Sequence, residues 1–243
     1  MGLVQVDAQI TGNFTEGNGT TEWTLGGYNT LPTISVGSLI ITTPVITTAT
    51  SAYYNTKQDI SSSFSASFTW ELTAGGSAAD GFLFSIQNSS LTPTLTGNQT
   101  GSNKGYTSGV SIGLENYSGA TTGLQLVGDG VRPTVTLGSM DCTTVGKRID
   151  FNIAYDAIAQ SFSVDLTQQG ATGVSHTFTL TNSLASLIGG STSYVGFTGG
   201  TGGWTETQTI SNFNLGPVPE PGTWALLVLT GTFFIVTRRR GRG

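Results

Sequence analysis

Residues 62–72 read "SSFSASFTWEL". Phe64, Ala66, Phe68, Trp70 and Leu72 recur at every second position, with Ser63, Ser65, Ser67, Thr69 and Glu71 between them. Side chains on an extended strand point alternately to opposite faces. Large aromatics confined to one parity therefore predict a long strand with one face in a core. A helix would scatter the same aromatics around its circumference.

The pattern repeats on both sides of this stretch. Phe82, Phe84 and Ile86 share a parity, as do Val110, Ile112 and Leu114; Ile149, Phe151, Ile153 and Tyr155; and Phe162, Val164 and Leu166. Each set predicts a strand with one core face and one more polar face. Turn formers separate them: "GSAADG", "TGNQTGSNKG", "ENYSGATTG" and "TGGTGG". "YDAIAQSFSVDL" predicts a hairpin with its loop at 157–160. Only "NSLASLIGG" suggests helix, and then a single short turn. Many strands with almost no helix predict one all-β domain over residues 1–216, a sandwich or a barrel. The glycine-rich stretches 97–109 and 199–203 are expected as extended loops, where binding residues usually sit.

Composition narrows the class of function. Charged residues make up 9% of the 243 positions, against roughly a quarter in an ordinary soluble domain. Hydroxyls and amides supply the polar surface, which suits an exported β-protein. Net charge is −5, and four of the nine basic residues (Arg238, Arg239, Arg240, Arg242) crowd the last six positions. Elsewhere there is no basic stripe, so nucleic acid is not an expected partner. A single cysteine, Cys142, excludes an internal disulfide and is expected as a buried thiol. A single histidine, His176, shares parity with Phe178 and Leu180 and is expected on a core-facing strand position. The opening "MGLVQVDAQI" lacks the basic and apolar regions of a leader, so export would need a start upstream of Met1.

The motifs, taken in order, resemble the legume-type (L-type) lectins. "FSASFTWELTAGGSAADGFLFSIQNSS" resembles their aromatic strand leading into an Ala-Asp-Gly strand. "GVSIGLENYSG" lies where they carry a metal-binding strand, "KRIDFNIAYDAIAQSFSVDL" resembles their hairpin, and "SYVGFTGGTGGWTETQTISNFNL" resembles their closing segment. "WTLGGYN" and "GSLIITTPVITTATSAYYN" fit the opening strands. The resemblance implies a concanavalin A-like jelly-roll β-sandwich that binds carbohydrate.

It also implies site residues. Asp80 matches the aspartate whose carboxylate accepts sugar hydroxyls through charge-assisted bonds. Gly105 falls in the loop that adds backbone donors, and Tyr117 matches an aromatic that stacks on the sugar. Thr201, Gly202 and Gly203 match the loop that sets monosaccharide preference. Read without the resemblance, Asp80 before Gly81 also fits a turn aspartate, Tyr117 a packed rim aromatic, and Trp204 a packing residue.

The family's metal strand carries glutamate, aspartate and asparagine where this chain has Gly113, Glu115 and Gly119. Calcium takes six to eight oxygens, and Glu115 is the one surviving match, so the residues argue against calcium and no cofactor is expected. Asp129 in "VGDGVR" reads as a turn residue. In the family the ions hold the Ala-Asp peptide cis; without them the Ala79–Asp80 peptide is free to be trans, with Asp80 directed elsewhere.

Enzymatic activity is not expected. Retaining glycosidases need carboxylates about 5–5.5 Å apart, and those of this fold class place them as Glu-x-Asp-x-Glu, a triplet absent from the sequence. Asp150 and Asp156 share a strand face, but six residues at about 3.3 Å each separate them too far.

The tail, residues 217–243, reads "PVPEPGTWALLVLTGTFFIVTRRRGRG". An apolar run over 222–237 is short for a lasting span, which needs about 17–25 residues, and the basic end 238–243 fits the cytoplasmic side. Val218, Pro219, Glu220 and Pro221 followed by such a run resemble the PEP-CTERM sorting signal of Gram-negative bacteria. That resemblance implies one short C-terminal transmembrane helix, tethering in the inner membrane, processing by an exosortase, and release to the cell surface or extracellular exopolysaccharide matrix. The sequence thus predicts an exported lectin-like protein that binds polysaccharide or another glycan. The alternative is a structural surface or matrix protein whose lectin fold has lost its sugar site.

Overall fold

The computed structural model describes residues 10–12, 14, 22–75, 78–93, 95, 106–117, 122–130 and 133–218. They form two antiparallel sheets of eight strands each. In the first sheet the order is β14 (Val174–Thr179), β13 (Ser161–Thr167), β12 (Arg148–Asp156), β7 (Phe64–Gly75), β16 (Glu206–Pro217), β4 (Ser38–Ile40) and β3 (Thr33–Ser35), with β1 (Ile10–Gly12) also on β16. In the second it is β11 (Thr134–Val135), β10 (Gly123–Val127), β9 (Gly109–Glu115), β8 (Gly81–Gln87), β15 (Thr192–Thr201), β5 (Thr48–Tyr54) and β2 (Trp23–Tyr28), with β6 (Gln58–Asp59) also on β15. A single short helix, α1 (Leu184–Ile188), lies between β14 and β15, capped by the Ser183 hydroxyl and ended by left-handed Gly189. It occupies the stretch whose sequence suggested one turn.

The alternating sets decide which faces meet. On β12, Ile149, Phe151, Ile153 and Tyr155 are buried, while Asp150, Asn152, Ala154 and Asp156 are exposed. On β7 the aromatics of the opening motif turn inward and meet those of β8. Phe68 stacks on Phe151 at 4.7 Å and meets Phe197 edge-on at 5.1 Å, and Trp70 stacks on Phe82 at 5.8 Å. Such pairs contribute about 0.5–1.5 kcal/mol beyond the area they bury. The hairpin turn falls at 157–160, between β12 and β13. His176 is half-buried on the core-side parity, its ring against Phe178 at 4.5 Å.

The more polar parity of β8 and β9 is buried as well, because further chain covers the second sheet. Ser85, Ser111 and Gln87 are buried there. Ser111 donates to Ser85 at 2.9 Å, and the buried Tyr106 hydroxyl bonds Ser111. One expectation needs correction: the 199–203 stretch is not wholly loop, since Gly199, Gly200 and Thr201 finish β15, the two glycines paired to both β5 and β8 and Thr201 to β5.

Among the described residues no helix is long and apolar enough to cross a membrane. The expected transmembrane helix over 222–237, the motif residues Pro219, Glu220 and Pro221, and the basic end lie outside the described residues. Val218 is the last one described, its N–H donating to the Ser63 carbonyl at 3.3 Å.

Candidate functional site

Four chain segments converge where β7 ends and β8 begins: residues 78–81, the end of β9 with Asn116 and Tyr117, residues 200–206, and the stretch around Cys142. Asp80 stands at their meeting point. The Ala79–Asp80 peptide is cis, which corrects the expectation that without family metal ligands it is free to be trans and aim Asp80 elsewhere. The Asp80 N–H donates to the Gly200 carbonyl at 2.9 Å, and the Asp80 carbonyl accepts the Asn116 N–H at 3.2 Å. Both backbone polar groups of Asp80 are thereby tied to neighbouring chain.

The Asp80 side chain is 6% exposed. Among the described residues no donor bonds its carboxylate. Burial, and next the Glu115 charge, push its pKa up to about 6. Gly202 packs directly on this carboxylate: a Cβ built there would lie 3.0 Å from Asp80 Oδ2 and 3.3 Å from Oδ1. Glycine at 202 keeps the space over the carboxylate open. Gly203 beside it is exposed.

Thr201, which the resemblance implies as part of the sugar-preference loop, turns its hydroxyl inward. It is fully buried, and its hydroxyl donates to the Val45 carbonyl at 2.6 Å and bonds the Thr48 hydroxyl at 2.7 Å. The Thr47 N–H reaches the Gly202 carbonyl at 2.9 Å, and Asn29 Nδ2 reaches the Thr47 carbonyl at 2.8 Å. Thr201 thus anchors the 43–47 loop against the 202–204 loop. These bonds gather exposed apolar side chains at one edge: Val45 and Ile46 on one loop, Trp204 on the other, and Tyr28 and Leu31 beside Asn29. Trp204 is 53% exposed, so it rides on the rim instead of packing inward. Tyr117 is 37% exposed at the end of β9, placed as a rim aromatic. Gly105 lies outside the described residues.

Two residues the sequence reading did not single out stand behind Asp80. Glu206 is fully buried. Asn116 Nδ2 donates to both its carboxyl oxygens at 2.9 and 3.0 Å, and the nearby Ala79 N–H also favours its charged form. Burial outweighs these bonds and raises its pKa to about 8, with the Asp80 charge adding to the rise. Gln208, two residues on, accepts from Trp70 Nε1 at 3.0 Å and donates to the Gly81 carbonyl at 3.1 Å. The available signal was parity: Glu206 and Gln208 share the inward face of β16 with Ile210. Cys142 is buried as expected, and burial, then the charges of Asp141 and Glu206, push its thiol up to about 12.

The family's metal set does not fit this backbone. A Cβ at Gly113 would lie 2.0 Å from the Phe82 carbonyl oxygen, so position 113 has no room for an acidic side chain. Glu115 accepts from Gln125 Nε2 at 2.7 Å. Asp129 faces away from this cluster and ties down Thr181, accepting its N–H at 2.8 Å and its hydroxyl at 2.6 Å. Among the described residues no three His, Cys, Asp or Glu side chains are grouped to hold a metal ion. A cleft of about 310 Å³ lined by Lys57, Phe64, Val195 and Pro217 lies at the opposite end of the sandwich.

No protein-family model and no curated protein sequence matches the chain. Solved structures do. Lectin II from Ulex europaeus aligns with a TM-score of 0.67 at 17% identity, over 87% of this chain and 99% of its own. Basic winged bean lectin with Tn-antigen aligns at 0.68 and 18% identity, over 86% and 97%. Arcelin-5, a lectin-like defence protein from Phaseolus vulgaris, aligns at 0.66 and 19% identity, over 85% and 97%. Identities this low establish architecture alone: the described chain has the two-sheet fold of the legume lectins.

Proposed function

We propose that this chain is an exported, non-enzymatic carbohydrate-binding protein whose glycan is held at the Asp80 end of the sandwich. The observation that carries the reading is the Asp80 carboxylate: in a residue 6% exposed, without a donor among the described residues, and free of any side chain from Gly202 above it. A buried carboxylate lacking donors is costly unless something supplies them, and sugar hydroxyls are donors of the right kind. Gly203 and Tyr117 flank it, and Trp204 with Val45 and Ile46 gives the apolar surface that sugar rings use. Tail residues 218–243 support sorting by an exosortase after a short-lived membrane tether, with the polysaccharide of the cell surface or matrix as the ligand encountered there.

The experiment is a glycan array and an exopolysaccharide pull-down with wild type and Asp80→Ala. The array should include galactose and GalNAc, since related folds are known in complex with each. Binding by wild type and loss in the variant is the expected result. No binding by wild type would leave the second reading, a structural surface protein on a lectin scaffold. That reading draws on Gly113 and on Glu115 being engaged by Gln125, both departures from a metal-dependent site.

A further inference from the structure

We infer that Glu206 is a positioning residue: its buried carboxyl clamps Ala79 and Asn116, and through them sets the direction of the Asp80 side chain. The ligand part of this inference rests on the carbohydrate-binding reading; the structural part does not.

Glu206 opens β16, fully buried, immediately behind the segment that carries Asp80. An acidic side chain at an inward strand position is unfavourable unless its oxygens are used. Here both are. The backbone N–H of Ala79, the residue before Asp80, favours the charged carboxyl, while Asn116 Nδ2 occupies both oxygens from the far side. Asn116 in turn gives its own N–H to the Asp80 carbonyl at 3.2 Å. Bonds therefore run from Glu206 to Asn116 and on to the Asp80 carbonyl, with Ala79, the neighbour of Asp80 in the chain, set against the same carboxyl.

The orientation of Asn116 shows which bond dominates. Its side chain is fully buried, and turning Nδ2 toward Glu206 and the Cys142 carbonyl leaves Oδ1 without a partner. A buried orphan acceptor costs about 1–3 kcal/mol, so the bonds on the Nδ2 side must more than offset it. A carboxyl retains acceptor capacity whether or not it holds a proton, so the clamp does not depend on its ionisation.

The test uses amide hydrogen exchange on the full chain, in wild type, Glu206→Leu and Glu206→Gln, alongside glycan binding. Leucine removes every acceptor at nearly constant volume; glutamine restores one oxygen. Wild type should protect Ala79 and Asn116 as well as the amides of β8. In Glu206→Leu those two amides should exchange at least tenfold faster while Phe151 and Val164 keep their rates, and glycan affinity should fall at least tenfold. Glu206→Gln should recover a large part of both. Unchanged exchange at Ala79 and Asn116 in the leucine variant would overturn the inference, as would an equal loss of protection across all strands. If the leucine variant does not fold, wild type decides: open-loop exchange at Ala79 and Asn116 overturns the clamp, and strand-like protection upholds it. Absence of glycan binding by wild type would sink the carbohydrate reading and leave the exchange arm to judge the clamp.

Discussion

The Cβ position of Gly202 lies 3.0 Å from Asp80 Oδ2, so the residue over the carboxylate controls access to it. Gly202→Val should fill that space. Glycan binding is expected to fall at least tenfold, with the melting temperature lowered by several degrees, because Gly202 is buried against the carboxylate and a larger side chain must displace it. Calorimetry beside a binding titration would check both; retained binding would place the ligand elsewhere.

Binding should also follow the ionisation of Asp80. Its pKa is raised to about 6, so the charged form that accepts hydroxyls most strongly accumulates as pH rises through that value. Affinity is expected to increase from pH 5 to pH 7 and then level off. Asp80→Asn should bind weakly and without this slope. Glu115 is the nearby charge that adds to the rise, and Glu115→Gln should move the midpoint of the wild-type profile downward.

Folding stability should run the other way with pH. Glu206 ionises near 4.5 in the unfolded chain and near 8 in the folded one. Between these values folding takes up a proton, so the contribution is full below about pH 4.5 and is lost as pH rises through about 8. Asp80 adds in the same direction between about 4 and 6. The Cys142 thiol, raised to about 12, stays protonated throughout this window. Asp141 has the opposite sign, its pKa held down by bonds from Thr143 and Thr144, and acts only at acid pH. Thermal melts between pH 5 and pH 9 should show a falling midpoint, and Glu206→Gln should flatten it.

Metal should matter little. With Gly113 closed against the Phe82 carbonyl, added calcium or a chelator is expected to shift the melting midpoint by less than about 1 °C. A shift of several degrees would reveal ligands among residues such as 118–121.

Phe68 touches Phe82, Phe84, Phe151 and Phe197. Phe68→Ala should cost about 3–5 kcal/mol in denaturant unfolding. Loss of less than about 1 kcal/mol would mean the two sheets do not depend on this cluster.

Much of the fold was legible because it is written in parity. Phe64 to Leu72 and Ile149 to Tyr155 each bury one face, and a period of two has no other economical reading. Parity fails where the backbone breaks step. Asn212 has a positive φ of 55°, and the register with β7 shifts between Ser211 and Asn214. Phe213 is buried although it lies off the parity of Ile210. The outer face of β8 was also illegible, since Ser85 looks like a solvent residue until Tyr106 is folded over it. In the site, Asp80 stood out through the motif around it. Glu206 did not, because its importance comes from Ala79 and Asn116, which only folding brings to it. Thr201 illustrates the converse: its backbone position suits a binding loop, but its hydroxyl is spent inside.

Strand β16 joins two places with unrelated demands. It begins at Glu206, beside Asp80, and ends at Pro217, paired with Phe64 at the other end of β7. At about 3.3 Å per residue its twelve residues measure out roughly 35 Å. The strand is therefore a built-in standoff. Under the proposed sorting through the tail, an attachment beyond Val218 would hold the molecule at the end away from Asp80, so that glycan capture and attachment would use opposite ends of β16.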